Sequence, residues 1–199
     1  MSFPGAVFPP PHWSGTLRIE HLWPASPEFP PHLGDSAVVC RRGTIVSVGS
    51  WPERNSAHLQ KPIVDLPGHI GPALINAHSH LELSHLRGSV TRGLGFEAWF
   101  SSLVGLDLMD LDSKTLDQAV TEMRDSGVVH VADTCSRLPE LVTSALNRGG
   151  MGFHLFMERI GFKDRGPDGR APSPTVAAHT VPCGHALYST APTILAAAK

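Results

Sequence analysis

The chain has 199 residues, 41% of them hydrophobic and 17% charged, which suits one or two globular domains with buried cores. Lys and Arg number 16 against 18 Asp and Glu, a net charge of −2, and no basic stripe marks a nucleic-acid or anionic-membrane surface. No apolar run nears the roughly 20 residues of a membrane span, and three cysteines (Cys40, Cys135 and Cys183) speak against a disulfide framework and for a reducing cytoplasm.

The start, Met1-Ser2-Phe3-Pro4-Gly5, lacks the charged and apolar regions of a signal peptide. Residues 1 to 14, with Pro9-Pro10-Pro11, read as a loose arm. Thr16 to Trp23 alternates, with Leu17 and Ile19 on one side and Arg18 and Glu20 on the other, and predicts a half-buried strand. A Pro-rich loop follows from Pro24 to Gly34. Ala37–Cys40 and Thr44–Gly49 predict a hairpin closed by the Arg41-Arg42-Gly43 turn, and Ile63–Leu66 predicts a fourth strand. On the residues alone this is an independent small β domain.

The centre of the chain is Pro72-Ala73-Leu74-Ile75-Asn76-Ala77-His78-Ser79-His80-Leu81-Glu82-Leu83. A short apolar run predicts a buried strand. Residues two apart on a strand share a face, so His78 and His80 can aim both imidazoles at one point while Ser79 points away. Neutral imidazole nitrogen binds zinc or iron. The plainer reading is a surface histidine pair. Position favours metal, because α/β folds place their chemistry at the carboxyl ends of strands.

Beyond the pair the pattern alternates helix and strand. Phe96, Trp99, Phe100 and Leu103 fall at helical spacing, and core packing is their plain reading. Leu116, Ala119, Val120 and Met123 predict a second helix, capped by Asp112 or Ser113 and closed by Gly127. Val128–Ala132 predicts a buried strand ending at Asp133. Leu138, Leu141, Val142 and Ala145 predict a third helix, and Gly152–Met157 the next strand. This βαβαβ order implies a parallel sheet. Arg165–Gly169 reads as a turn, and Ala171-Pro172-Ser173-Pro174 breaks any crossover helix. Val181–Ala186 predicts a short strand, followed by a helix with Pro192 at its first position. His130 and His154 read as packing or barrel-lining residues, His69, His85 and His179 as loop residues, and Cys135 as an inert buried thiol.

The stretch from Asp65-Leu66-Pro67-Gly68 through His78-Ser79-His80-Leu81-Glu82-Leu83-Ser84 resembles the first barrel strand of the amidohydrolase superfamily. It is most similar to the branch of aminohydrolases and chlorohydrolases of nitrogen heterocycles. His185-Ala186-Leu187-Tyr188-Ser189-Thr190 resembles the His-Ala-Pro-Tyr-Ser motif that ends the fourth barrel strand in its deaminases, with Leu187 in place of proline. His80 to Gly88, followed by Gly95-Phe96-Glu97-Ala98-Trp99, is similar to aminofutalosine deaminases.

The resemblance implies an α/β fold: a partial (β/α)8 TIM barrel of about four βα units, residues 67–199, preceded by a partial β-sandwich and arm, residues 1–66. Many amidohydrolases complete that sandwich with their C-terminal segment. It implies a metal-dependent hydrolase of non-peptide C–N bonds that deaminates an amino-substituted nitrogen heterocycle or a nucleoside-like molecule. His78 and His80 would bind one divalent metal, zinc with iron as the alternative. His185, Glu82 and Trp99 would contact the small-molecule substrate. The two-metal members carry a lysine at the end of the fourth strand; Val181–Ala186 has none, and Lys199 lies on the following helix. A nucleic-acid or membrane partner is not implied, and a homo-oligomer stays open.

The family's remaining groups come later. A metal-binding histidine and a glutamate end the fifth strand, a histidine the sixth, and an aspartate the eighth, so the catalytic residues are expected beyond Lys199. The chain therefore reads as the N-terminal half of such an enzyme, inactive and poorly stable by itself. The competing readings are a remnant without catalysis and a non-catalytic module in which the histidine pair is incidental.

Overall fold

The computed structural model describes residues 12–52, 57–90, 93, 95–161 and 173–197. The N-terminal arm with Pro9-Pro10-Pro11, the Arg165–Gly169 turn and Lys199 lie outside the described residues. The chain divides into two compact units, Met1–Pro72 and Ala73–Lys199.

The first unit is a four-stranded sheet of β1 (Gly15–Leu22), β2 (Leu33–Arg41), β3 (Thr44–Ser50) and β4 (Ile63–Ile70), in the order β3-β2-β1-β4. β4 continues to Ile70, past the boundary expected at residue 66, and takes in His69, which the sequence reading left in a loop. β2 pairs antiparallel with both β1 and β3, whereas β4 lies parallel to β1. The β2–β3 turn works because Arg42 and Gly43 both take positive φ, 50° and 78°. That is the turn whose twist matches a hairpin. Ile19, Leu22, Val38 and Cys40 form the core of this sheet, with Trp13, Leu17 and Leu66 packed against it.

The second unit holds the expected parallel sheet. β5 (Leu74–Ser79), β6 (Val128–Cys135), β7 (Gly152–Arg159) and β8 (Thr180–Gly184) lie in sequence order, each parallel to the next. Among the described residues five helices intervene or follow: α1 (Gly95–Val104), α2 (Ser113–Asp125), α3 (Pro139–Arg148), α4 (Pro174–Ala177) and α5 (Pro192–Ala197). A 3₁₀ helix, Leu81–Leu86, directly follows β5 and contains His85. α4 is a single four-residue turn that starts at Pro174: proline is tolerated at the first helical position, and the Ser173 hydroxyl caps the turn by accepting from Val176 N.

α2 and α3 form where their apolar spacing predicts. Asp112 caps α2 by accepting from Thr115 N at 2.7 Å. Leu116 and Val120 of α2 pack with Val142, Ala145 and Leu146 of α3 over Val131, Cys135, Phe153 and Leu155 of the sheet. Burying a side chain of this size stabilises by about 1.5–3 kcal/mol. The opposite sheet face carries His130 and His154, whose rings approach at 3.0 Å (Nε2 to Nδ1). Gly152 is required beneath them, since a Cβ there would lie 2.5 Å from His130 Nδ1.

α1 departs from expectation. Phe96, Trp99, Phe100 and Leu103 have helical spacing, yet α1 buries no residue. Phe96 is 60% exposed, Trp99 41% and Phe100 49%. The stripe forms a helix, but no apolar layer of the described residues covers it.

Candidate metal centre and its surroundings

In a parallel sheet every strand ends at the same edge. β5 delivers His78 and His80 to that edge, β6 delivers Asp133, β7 delivers Glu158, and β8 leads directly into His185.

The histidine pair does not sit on a plain strand. The β5–β6 register shifts between Asn76 and Ser79, so three steps on β5 match two on β6, from Val131 to Asp133. Such a bulge re-aims side chains near functional sites. Inside it the Asn76 side chain, through Oδ1, accepts from His78 N at 3.2 Å. The His78 and His80 rings stand edge to face, their centres 5.0 Å apart. His78 is exposed and His80 half-buried.

Ser79 points the other way, as the strand alternation predicts. Its hydroxyl donates to Asp133 Oδ1 at 2.6 Å, and Leu81 N donates to the same oxygen at 2.8 Å. Asp133 is fully buried, and its Oδ2 has no partner among the described residues. Loss of water drives its pKa up to about 7, and nearby Glu82 adds to the rise; the bonds from Ser79 and Leu81 pull the other way.

Glu82, expected at the substrate, is instead tied to the backbone of the next helix. Extended geometry does not persist past His80: Glu82 lies in the 3₁₀ helix and is 2% exposed. Its carboxylate accepts from Ser136 N, Arg137 N and Leu138 N at 2.9, 2.9 and 3.1 Å, and from Cys135 Sγ at 3.0 Å. Arg137 adds an ion pair at 3.8 Å. These are the peptide groups that lead into α3, so Glu82 fastens the metal-strand exit to the next helix and has no face left for a substrate. Burial, then Glu82, pushes the Cys135 thiol far above its ordinary range, which leaves it inert as a nucleophile.

His185 opens the loop after β8. Its backbone N donates to Arg159 O at 3.1 Å, and its ring Nδ1 meets Ser189 Oγ at 2.5 Å. The loop is pinned by Gly161 N to Ser189 O and by Ala191 N to Gly161 O, at 2.8 and 2.9 Å. Tyr188 stands edge-on to His185 and to Phe96, and Phe96 stacks with Phe100 and tilts against Trp99. His185 and Trp99, expected separately from the sequence, therefore belong to one exposed aromatic chain.

The donor set fits part of a zinc site. Two imidazoles 5.0 Å apart, one exposed and one half-buried, are the right chemistry, but zinc takes three or four protein ligands. Among the described residues no group of three or more His, Cys, Asp or Glu is placed to hold a metal. Sequence reasoning placed Asp133 at the end of its strand but gave it no part beside the histidine pair.

Neither a family model nor a curated protein matches the chain. Solved structures do. Aminofutalosine deaminase of Helicobacter pylori, in complex with methylthio-coformycin, superposes with a TM-score of 0.67 at 20% identity, covering 88% of this chain and 45% of that one. Guanine deaminase of C. acetobutylicum, with guanine bound, gives 0.57 at 15% identity, covering 85% and 45%. The fold is of the amidohydrolase kind. The sequence resemblance is thus borne out at the level of fold, and the chain spans less than half the length of either structure. That share fits the N-terminal half expected from the motifs. The α/β class with a parallel sheet stands; the first unit is a single four-stranded sheet. Among the described residues no helix is long and apolar enough to cross a membrane.

Proposed function

We propose that this chain is the N-terminal part of a metal-dependent hydrolase that deaminates an amino-substituted nitrogen heterocycle or a nucleoside-like substrate. The observation that carries the reading is the His78–His80 pair, set edge to face at the carboxyl edge of a parallel sheet of amidohydrolase-type fold. His78 and His80 would hold a single divalent metal, zinc before iron. Bound there, the metal supplies Lewis-acid activation of water for hydrolysis.

The chain's own residues supply position and binding. Ser189 holds the His185 ring, which leaves Nε2 to hydrogen-bond a ring nitrogen or a hydroxyl of a bound heterocycle. Trp99, with Phe96 and Tyr188, offers flat apolar faces against which such a ring stacks. Glu82 keeps the exit of β5 in place.

The first test is zinc binding by the 199-residue chain, with His78→Ala and His80→Ala as controls. Zinc taken up by the parent and lost in both variants supports the reading. Uptake that ignores both substitutions defeats it. The second test is ammonia release from guanine, adenosine-type nucleosides and aminotriazines by the longest polypeptide the gene encodes, with and without zinc. Two ligands make a weak site, which supports a second reading in which this chain by itself is a fragment without turnover. Ammonia release by the purified 199-residue chain would overturn that second reading.

A further inference from the structure

His80 follows the last residue of β5, and the strand ladder is already interrupted by the bulge between Asn76 and Ser79. Regular sheet pairing therefore cannot fix its backbone. Something else does. The residues on either side of His80 both donate to one atom, Asp133 Oδ1: Ser79 through its hydroxyl at 2.6 Å, Leu81 through its peptide N–H at 2.8 Å. The His80 carbonyl adds the first bond of the 3₁₀ helix by accepting from Leu83 N at 2.9 Å.

We infer that Asp133 is the positioning residue for the His78–His80 pair, a buried two-point bracket that sets the direction in which His80 presents its ring. The inference rests on the metal-binding reading above. A carboxylate is a costly choice for a fully buried position, where an apolar or hydroxyl side chain would be cheaper. It has two acceptor oxygens, and only Oδ1 is used. What the position needs is one oxygen able to accept from two donors that flank the same histidine. Ser79 then has a purpose as well: it carries the outer half of the bracket on the face opposite the imidazoles. Among the described residues Asp133 makes no hydrogen bond to either imidazole ring, so it acts on metal affinity through the backbone of His80.

The experiment measures Zn²⁺ affinity of the full 199-residue chain by competition with a chromophoric chelator, together with hydrogen exchange at the Leu81 amide in metal-free protein. Asp133→Ala removes the bracket and is expected to weaken zinc binding about 10–100-fold, the range seen when supporting groups around metal ligands are lost, and to unprotect Leu81. Asp133→Asn keeps Oδ1 as an acceptor and is expected to restore both readouts. If Asp133→Ala does not fold, Ser79→Ala, which removes one of the two bonds, is expected to lose roughly 2–10-fold. Should His78→Ala abolish zinc binding while Asp133→Ala and Ser79→Ala bind like the parent, the bracket is wrong and the metal site stands. Should His78→Ala and His80→Ala leave zinc binding unchanged, the metal reading and the bracket fall together.

Discussion

α1 and α2 carry the same apolar spacing and meet opposite fates. In α2, Leu116 and Val120 disappear beneath α3 and the sheet. In α1, Phe96, Trp99 and Phe100 remain between two-fifths and three-fifths exposed. The difference lies outside either helix. α2 is followed by Gly127 and a strand that turns it back over the sheet, whereas α1 runs into Gly105 and a loop to Asp112. Periodicity specifies which side of a helix is apolar; it does not specify what covers that side. The three α1 aromatics, with Tyr188, make an exposed apolar surface of the type that marks binding.

The comparison can be broken or sharpened by substitution. The largest effect is expected at the joint that orders the buried side: Glu82→Ala leaves three peptide donors and the Arg137 charge without their acceptor and should cost about 3–5 kcal/mol in denaturant unfolding. A loss under 1 kcal/mol would show that the 136–138 peptides find other partners. Leu146→Ala, in the fully buried α3 seam, should cost about 2–5 kcal/mol. Next comes pH. Asp133 titrates at about 7 in the fold against an ordinary value of 3.8, so the folded state holds its proton longer than the unfolded chain. Its contribution to stability is complete below about pH 4 and is lost as pH rises to about 7, on the order of 4 kcal/mol in all. Asp133→Asn should flatten that segment of the stability–pH curve; an unchanged slope would assign it to other groups. The smallest effect belongs to α1: Phe100→Ala should move stability by no more than about 0.5 kcal/mol. A cost above 2 kcal/mol would mean that the aromatic face is covered in solution and that the contrast with α2 is false.

Most of the fold was legible because its signals are local. The β2–β3 turn needs positive φ at Arg42 and Gly43, and the chain places a glycine there. α2 has its cap at Asp112 and its stop at Gly127. The paired histidines were legible from strand alternation, though the bulge that aims them was not, since a one-residue slip leaves no mark in composition. Glu82 was misplaced for a related reason. Its role depends on where the strand ends, and the 3₁₀ helix after His80 moved it from the open edge to the interior. Asp133 was legible as a strand end but not in its role, because a buried acid is recognised only through its partners, and those stand 52 and 54 residues away in the chain.

The position of Glu82 has a chemical consequence for what can bind here. Peptide N–H groups gathered at the start of a helix are a common socket for phosphate in α/β proteins. At the entrance to α3 three of them already point at the chain's own buried Glu82 side chain. A phosphate approaching that helix would meet an occupied socket. The start of α3 is therefore closed by the chain's own side chain.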